Sequence, residues 1–490
     1  MNVGIDLGTT FSAIARMKLG QPEIMTNREG ERLTPSVVLV QEDGKVVVGS
    51  AAKEQAIIQS QGVVRTVKNY MGKREKFHLP DGQTYAPELI ASFILQRLLE
   101  DAERFAGERV EGAVITIPAY FADAQRKATM DAAHLAQVPL LEMINEPTAA
   151  AVYYASRLGQ TQPMKLMVYD LGGGTFDVTI LSVQGMNIQV LSTDGILQTG
   201  GNELDMAIVE YVCQLFMEKH DIDLEDDEYQ DEYQDLILKA ESCKEQLSVK
   251  ESASIPLRVG RVKENVTITR AFLETKVRKL YMRTEACVKR AMRNAGLTSF
   301  QEIDKLVLVG GSSKIPLIQQ SLQALTGLVP SLDVNPSEAV ALGAAIYANN
   351  LCAVSDVCSH SIGAAAFTRM GQINHILIPR SSRLPCQVEE HFFTMRQNQP
   401  SILMTLTEGE SANLNDVVKL SEQTILLPAG LPQGTELIVT LSLDTNQLLH
   451  LQLRVDAADF SKEYDIQRTQ NLDPETLKRW QGLALSRDIS

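Results

Sequence analysis

VGIDLGTTFSAIA (Val3–Ala15) and MVYDLGGGTFDVTI (Met167–Ile180) are the two stretches on which the fold turns. Each opens with an apolar strand, closes it with Asp-Leu-Gly, passes through a glycine- or threonine-rich turn and returns as a second β-prone strand. This pattern predicts two β-hairpins, each with a tight tip beside an aspartate. A hairpin repeated about one domain length later is what two pseudo-symmetric lobes would produce.

Outward from these hairpins, strand-like and helical segments alternate up to about residue 350. Strands are expected at 3–6, 113–117, 166–170 and 305–309, and helices at 87–105, 122–135, 204–219 and 272–294. Such alternation predicts an α/β unit with parallel strands. Beyond it helices almost vanish. The segments 392–394, 401–406, 437–443 and 448–455 are separated by turn residues, as in an antiparallel sandwich. Asp473 followed by Pro474 reads as N-cap and N1 of one short helix carrying the only tryptophan, Trp480.

Composition sets the outer bounds. The 490 residues, 44% hydrophobic and 22% charged, suffice for two or three globular domains. A net charge of −15 argues against nonspecific nucleic-acid binding, which needs a basic surface. No apolar run reaches membrane-spanning length, and the first residues, with Asp6 among them, lack the pattern of an export signal. The expectation is a cytoplasmic protein. Six dispersed cysteines without a C-x-x-C pair read as reduced thiols, and Cys358 with His360 supplies too few ligands for zinc. The acidic stretch 221–235 reads as the solvated face of a surface helix continued by Leu236, Leu238 and Ala240, with attraction of a basic partner as the alternative.

The hairpins suit a nucleotide polyphosphate with Mg²⁺, which needs backbone N–H groups aimed at phosphate and carboxylates near the metal's water shell. Gly8, Gly172, Gly173 and Gly174 let the backbone approach phosphate, while Thr9, Thr10 and Thr175 add hydroxyl donors. Asp6 and Asp170 close their strands and can hold magnesium waters, with Asp177 behind them. Neither G-x-x-x-x-G-K-[ST] nor G-x-G-x-x-G occurs, which disfavours P-loop and Rossmann folds. LVLVGGSSKIP (Leu306–Pro316) is a strand running into Gly310-Gly311, fit for a base or ribose or for an ordinary strand-to-helix turn. Gly200 and Gly201 in TGGNELD suit phosphate or simple capping. Glu146 in INEPTAAA suits a water-positioning role or a cap.

GIDLGTT, VITIPAYF (Val114–Phe121), INEPTAAA, YDLGGGTFDV, LVGGSSKIP and NPSEAVALGAA (Asn335–Ala345) follow one another as they do in the heat-shock seventy (DnaK-type) chaperone family, which the first 350 residues resemble throughout. The resemblance implies an α/β actin-like ATPase domain of two lobes and four subdomains, a ribonuclease H-like duplication, over residues 1–350. An interdomain linker at 351–360, a β-sandwich peptide-binding domain at 361–465 and a short helical tail at 466–490 without the family's long lid are expected to follow.

By resemblance, Lys68 matches the lysine that contacts the γ-phosphate and the attacking water; by sequence alone it reads as a surface lysine. Thr9 matches the hydroxyl beside the γ-phosphate, and Asp170 and Glu146 match residues orienting magnesium waters and the nucleophile. Glu241, Lys244 and Ser248 match the helix that contacts adenosine. Ser312 and Lys314 belong to the Gly-Gly-Ser turn, Lys314 replacing a frequent arginine; Glu245 stands where some members carry an arginine stacked on adenine. Phe367, Phe392, Met395 and Ile402 take on a peptide-groove role, with filling of the sandwich core as the alternative. The linker, LCAVSDV (Leu351–Val357), is less bulky than the usual leucine run and includes Ser355. Without a lid, bound peptide is expected to leave quickly.

The implied function is an ATP-hydrolysing chaperone with ATP/ADP and Mg²⁺. Its partners would be extended polypeptide segments, a J-domain cochaperone and a nucleotide-exchange factor. A nucleotide-gated regulator without clamp activity and a small-molecule kinase of the same superfamily are the competing expectations.

Overall fold

The computed structural model describes residues 1–490 except 160, 161, 332, 369, 370, 465 and 467–470, and only the backbone of 367 and 368. The first lobe rests on a sheet whose main path has five strands: β1 (Asn2–Asp6), β2 (Phe11–Lys18), β3 (Gln21–Ile24), β4 (Gly112–Ile117) and β5 (Leu140–Asn145). Their order is β5-β4-β1-β2-β3. The second lobe repeats the theme with β6 (Met164–Leu171), β7 (Thr175–Gln184), β8 (Asn187–Leu197), β9 (Lys305–Val309) and β10 (Ala353–Ser355), in the order β9-β6-β7-β8-β10. In each, a central strand has an antiparallel hairpin partner on one side and a parallel strand on the other. Both repeated sequences are therefore hairpins at the centre of their sheets.

Between the lobes run helices chosen for closeness rather than bulk. α3 (Glu146–Leu158) and α8 (Ala339–Ala348) are largely alanine where they meet, and Ala149, Ala150, Ala341, Ala344 and Ala345 are fully buried. A Cβ on Gly343 would lie 1.7 Å from the Ala149 carbonyl oxygen. On the other side of α8, a Cβ on Gly4 would lie 2.2 Å from the Ala345 nitrogen. The outer helices begin and end by ordinary signals. α1 (Pro87–Ala106) starts with proline at N1 and stops at Gly107, φ 70°. α2 (Asp123–Leu135) packs beside it.

Glu88, in the first turn of α1, is 1% exposed, and neither carboxyl oxygen has a side-chain partner among the described residues. Burial, with Asp131 nearby, pushes its pKa up to about 7. A carboxyl raised above its unfolded value favours folding below about pH 4.5, and that contribution is lost as pH rises to 7. Glu88→Gln is therefore expected to stabilise the fold above pH 7 by up to about 3 kcal/mol, with little gain near pH 5. Urea midpoints at the two pH values measure the difference; equal shifts at both would refute it.

After β10 come two four-stranded sheets. One holds β11 (Ile362–Thr368), β12 (Gly371–Ile378), β14 (Ser401–Glu408) and β15 (Val418–Leu426) in the order β12-β11-β14-β15. The other holds β13 (Cys386–Phe393), β16 (Glu436–Leu443), β17 (Leu449–Val455) and β18 (Phe460–Tyr464) in that order. Leu406, Ile425, Leu437, Leu441, Leu453 and Val455 form the core between them. Two expectations need correction. The strand expected at 392–394 runs 386–393, because Thr394 is turned inward to donate to the Pro432 carbonyl. The acidic stretch is not one helix face. Asp221 ends α4 (Gly201–His220) in the left-handed region, the Asp226 side chain caps a short 3₁₀ turn, and α5 (Gln230–Leu247) starts only at 230.

The sandwich is seated on the lobes. Ser359 donates to the Ala119 carbonyl, His360 packs edge-on against Tyr120 with ring centroids 4.2 Å apart, and Arg380 pairs with the buried Asp194 at 3.1 Å. The segment before it adds to the second lobe as β10, in parallel register with β8. The chain then returns to the first lobe. Asn471 donates to the Ala124 carbonyl at 2.8 Å, and α9 (Pro474–Ser486), numbered last because Pro316–Thr326 is α7 and Arg270–Asn294 is α6, buries Trp480 and Ala484 against α1 and α2. Arg487 reaches Asp81, Tyr85 and the Gly44 carbonyl. Ser490 exchanges backbone hydrogen bonds with Val46 and Val48, lengthening the sheet of Val37–Val40, Val46–Val48 and Val63–Arg65. No helix among the described residues is long and apolar enough to cross a membrane.

Candidate active site

A cleft of about 460 Å³ opens between the two hairpin tips, a size suited to a nucleotide. The tips nearly touch. Thr10 Oγ1 donates to Asn202 Oδ1 across the cleft at 3.3 Å, and a Cβ on Gly173 would lie 2.0 Å from Thr10 Oγ1. Gly8 turns so tightly that a Cβ would fall 1.9 Å from the Phe11 carbonyl oxygen. Glycine is required at both positions by approach of backbone and hydroxyl.

The register of the sheets carries the acids to the cleft floor. Asp6 ends β1, where its parallel partner Thr116 on β4 donates to Asp6 Oδ1 at 3.0 Å. Asp170 lies near the end of β6 and Asp177 opposite it on β7. Glu146 opens α3 directly after β5. Lys68, in the 3₁₀ turn Val67–Tyr70, points inward to hydrogen bond Glu146 and is 5% exposed, so it is no surface lysine. Four carboxylates thus surround one ammonium. Burial, and next to it Glu146, pushes Asp6 up to about 7 and Asp177 up to about 8; the same causes hold Asp170 well above the carboxylate range. This excess of buried carboxylate fits a further cation.

The far end of the cleft is walled by Glu241, Lys244 and Glu245 of α5, by its C-cap Ser248, and by Gly310, Gly311, Ser312 and Lys314. Gly310 has φ 79°, and a Cβ there would meet the Leu171 carbonyl oxygen at 2.3 Å, so the turn after β9 presses onto the second hairpin. Ser312 Oγ donates to the Gly172 carbonyl at 2.9 Å, and Lys314 Nζ to Ser337 Oγ at 3.2 Å. Lys244 is held by Asp205 at 2.7 Å. Lys53, from the helix Ser50–Gln55 of the first lobe, closes over this end through an ion pair with Glu241 at 2.6 Å.

Of the residues expected at the site, Asp6, Gly8, Thr9, Thr10, Lys68, Glu146, Asp170, Gly172, Gly173, Thr175, Glu241, Lys244, Ser248 and the 310–314 turn line the cleft. Gly174, Asp177, Gly200 and Gly201 stand behind it. The Gly201 N–H is taken by the Gly172 carbonyl at 3.0 Å and the Asn202 N–H by that of Gly173 at 2.8 Å, so these groups brace the second hairpin. Sequence reasoning missed Lys53, Thr116 and Asn202. Only Thr116 left a signal, as the polar residue within an otherwise apolar strand. In the sandwich, Phe392 on β13 and Ile402 on β14 lie on different sheets and pack partly into the core between them. Met395, in the turn after β13, is 80% exposed. The Phe367 side chain lies outside the described residues.

Comparison with known proteins adds sequence kinship to this geometry. A family model described as "Hsp70 protein" matches residues 2–485. Two proteins named "Chaperone protein DnaK", from two strains of Thermus thermophilus, are each 36% identical over 516 aligned residues. The alignment covers 97% of this chain and 82% of either relative.

Proposed function

This chain belongs to the Hsp70 family and works as an ATP-dependent chaperone on an actin-like ATPase fold; we propose that the cleft between the hairpins hydrolyses ATP and that the sandwich receives extended apolar peptide segments. The observation that carries the reading is the buried pair Lys68–Glu146 set between two facing phosphate-sized hairpin tips. Residues 1–350 act as the ATPase unit, 351–360 as the linker and 361–465 as the peptide unit.

In this reading Gly8, Thr9 and Thr10 meet the phosphates from the first lobe, and Gly172, Gly173 and Thr175 from the second. Mg²⁺, held mostly through its waters by Asp6 and Asp170 with Asp177 behind, would neutralise phosphate charge. Lys68 and Glu146 hold the attacking water in line with the γ-phosphoryl group, and positioning with charge neutralisation supplies most of the rate. Glu241, Lys244, Ser248 and the 310–314 turn receive the adenosine. On the sandwich, Phe392, Met395 and Ile402 offer apolar contacts to a peptide bound in strand-like fashion. Exposure of Met395 supports this placement. A J-domain cochaperone and a nucleotide-exchange factor are the partners such a cycle uses.

Steady-state ATPase assays with and without Mg²⁺, an unfolded peptide and a J-domain protein test the reading. Turnover is expected to need Mg²⁺ and to rise severalfold with peptide and J-domain protein together. Turnover indifferent to both would remove peptide coupling. Nucleotide binding without turnover would point to a nucleotide-gated regulator instead.

A further inference from the structure

Beyond Lys68, which sits at the floor of the cleft, lies another cavity of about 210 Å³. Lys68, Asn69, Lys73 and Gln125 of the first lobe line it, with Thr175 and Gln198 of the second. Lys68 and Thr175 also line the nucleotide cleft, so the two spaces share a wall. We propose that this rear cavity binds inorganic phosphate and is the way out for the phosphate product while the diphosphate still fills the front. The proposal rests on the ATPase reading above.

Charge is the first argument. The front cleft is lined by Asp6, Glu146, Asp170, Glu241 and Glu245. No carboxylate is among the residues lining the rear cavity, which has two ammonium groups. Lys68 shares its charge with Glu146. Lys73 lies over the Tyr70 ring, 5.5 Å from its centroid, and no carboxylate among the described residues pairs with it. Asn69, Gln125, Thr175 and Gln198 add neutral polar groups, and the apolar side chains of Phe121 and Leu197 complete the lining. Gln125 Oε1 already accepts from the Ala122 N–H at 2.8 Å, which leaves its NH₂ group as the remaining donor. A small anion with several acceptor oxygens matches such a set. At about 30 Å³ for each water displaced, the space also takes a phosphate with part of its hydration shell.

The chemistry supplies the second argument. In hydrolysis the water oxygen bonds to the γ-phosphorus. The bond to the bridging β,γ-oxygen breaks, and that oxygen keeps the electron pair as the terminal oxygen of ADP. The water protons are shared between the phosphate product and solvent, so ATP and water become ADP, hydrogen phosphate and a proton. In-line displacement inverts the phosphoryl group and carries phosphorus away from the leaving oxygen, toward the attacking water. Lys68 and Glu146 hold that water, and Lys68 stands in the wall of the rear cavity. The product is therefore delivered at this threshold, with ADP across the way back. Because each lobe contributes part of the lining, the width of the exit follows the spacing of the lobes.

The experiment uses the full chain and two substitutions of the half-buried Lys73. Binding of radiolabelled inorganic phosphate to the ADP-loaded protein is measured by equilibrium dialysis. In single turnovers, cleavage followed by acid quench is compared with free phosphate followed by a fluorescent phosphate sensor. Lys73→Met, which keeps length and removes charge, is expected to weaken phosphate binding about fivefold to tenfold, the loss of one charge-assisted contact. Lys73→Trp, which fills the space, is expected to lengthen the interval between cleavage and free phosphate at least about tenfold. Phosphate bound equally by parent and Lys73→Met, or free phosphate keeping pace with cleavage in Lys73→Trp as in the parent, would overturn the rear cavity alone. Absence of cleavage in the parent would overturn the ATPase reading and this proposal with it.

Discussion

Lys68→Ala is expected to lower ATP turnover by about 10²–10³-fold while changing nucleotide affinity by less than about threefold. The split between the two effects follows from where the ammonium sits. It is 5% exposed, at the floor of the cleft, and its hydrogen bond goes to Glu146 rather than to the wall formed by α5 and the 310–314 turn. Most of the nucleotide's binding surface lies along that wall and the hairpin tips, which the substitution leaves in place. In the proposed mechanism what is lost is a fixed positive charge beside the attacking water, where a buried group counts most because nothing must reorganise during reaction. Glu146 would also be left among Asp6, Asp170 and Asp177 without its ammonium. Single-turnover cleavage and nucleotide titration on the same preparation measure the two effects, and turnover within about threefold of the parent would remove Lys68 from the mechanism.

Gly343→Ala is expected to destabilise the chain by at least about 3 kcal/mol, the upper end for overpacking, although it adds one methyl group to a helix. In an exposed helix the same change would gain about 1 kcal/mol. Here the new Cβ would lie 1.7 Å from the Ala149 carbonyl oxygen and 2.5 Å from its carbon. Backbone cannot rotate aside as a side chain can. Nor can α8 retreat, because its other face lies on β1, where Gly4 already leaves no room for a Cβ beside Ala345. Any shift would carry Val340 at the cleft wall and Glu146 at the start of α3 with it, so nucleotide affinity should fall together with the urea midpoint. Gly482→Ala in α9, where a Cβ meets nothing within 4 Å, is the matched control and should be neutral or mildly stabilising. Equal midpoints for the two variants would contradict the close-packing argument.

Much of the cleft could be read from the chain because its floor is local. Asp-Leu-Gly followed by a tight turn fixes a hairpin within about ten residues, and both aspartates come with it. Lys68 is legible only through the resemblance. It sits in a short 3₁₀ turn without periodicity, and what buries it arrives from Glu146 and Phe121, far along the chain. Lys53 and Glu241 meet across the cleft from different lobes, a pairing no local pattern encodes. The acidic run misleads for a physical reason: helical periodicity from Leu236 onward says nothing about residues upstream, where Asp226 prefers to cap its own turn. Asp473 and Pro474 mark the helix of Trp480 correctly, but a lone tryptophan does not say which surface it will cover.

That surface is in the first lobe, whereas β10, which leads into the sandwich, is stitched to the second. Beyond its direct seat on Ala119, Tyr120 and Asp194, the sandwich is thus tethered at its two ends to the two lobes, like a load on a bridle. Any motion that alters the angle between the lobes changes the span between the moorings, and tension on the sandwich becomes torque on the cleft. Arg487, Trp480 and the strand-like 488–490 set the holding strength of one end, and three residues of parallel strand set that of the other. Under load, the shorter seam at β10 would part first.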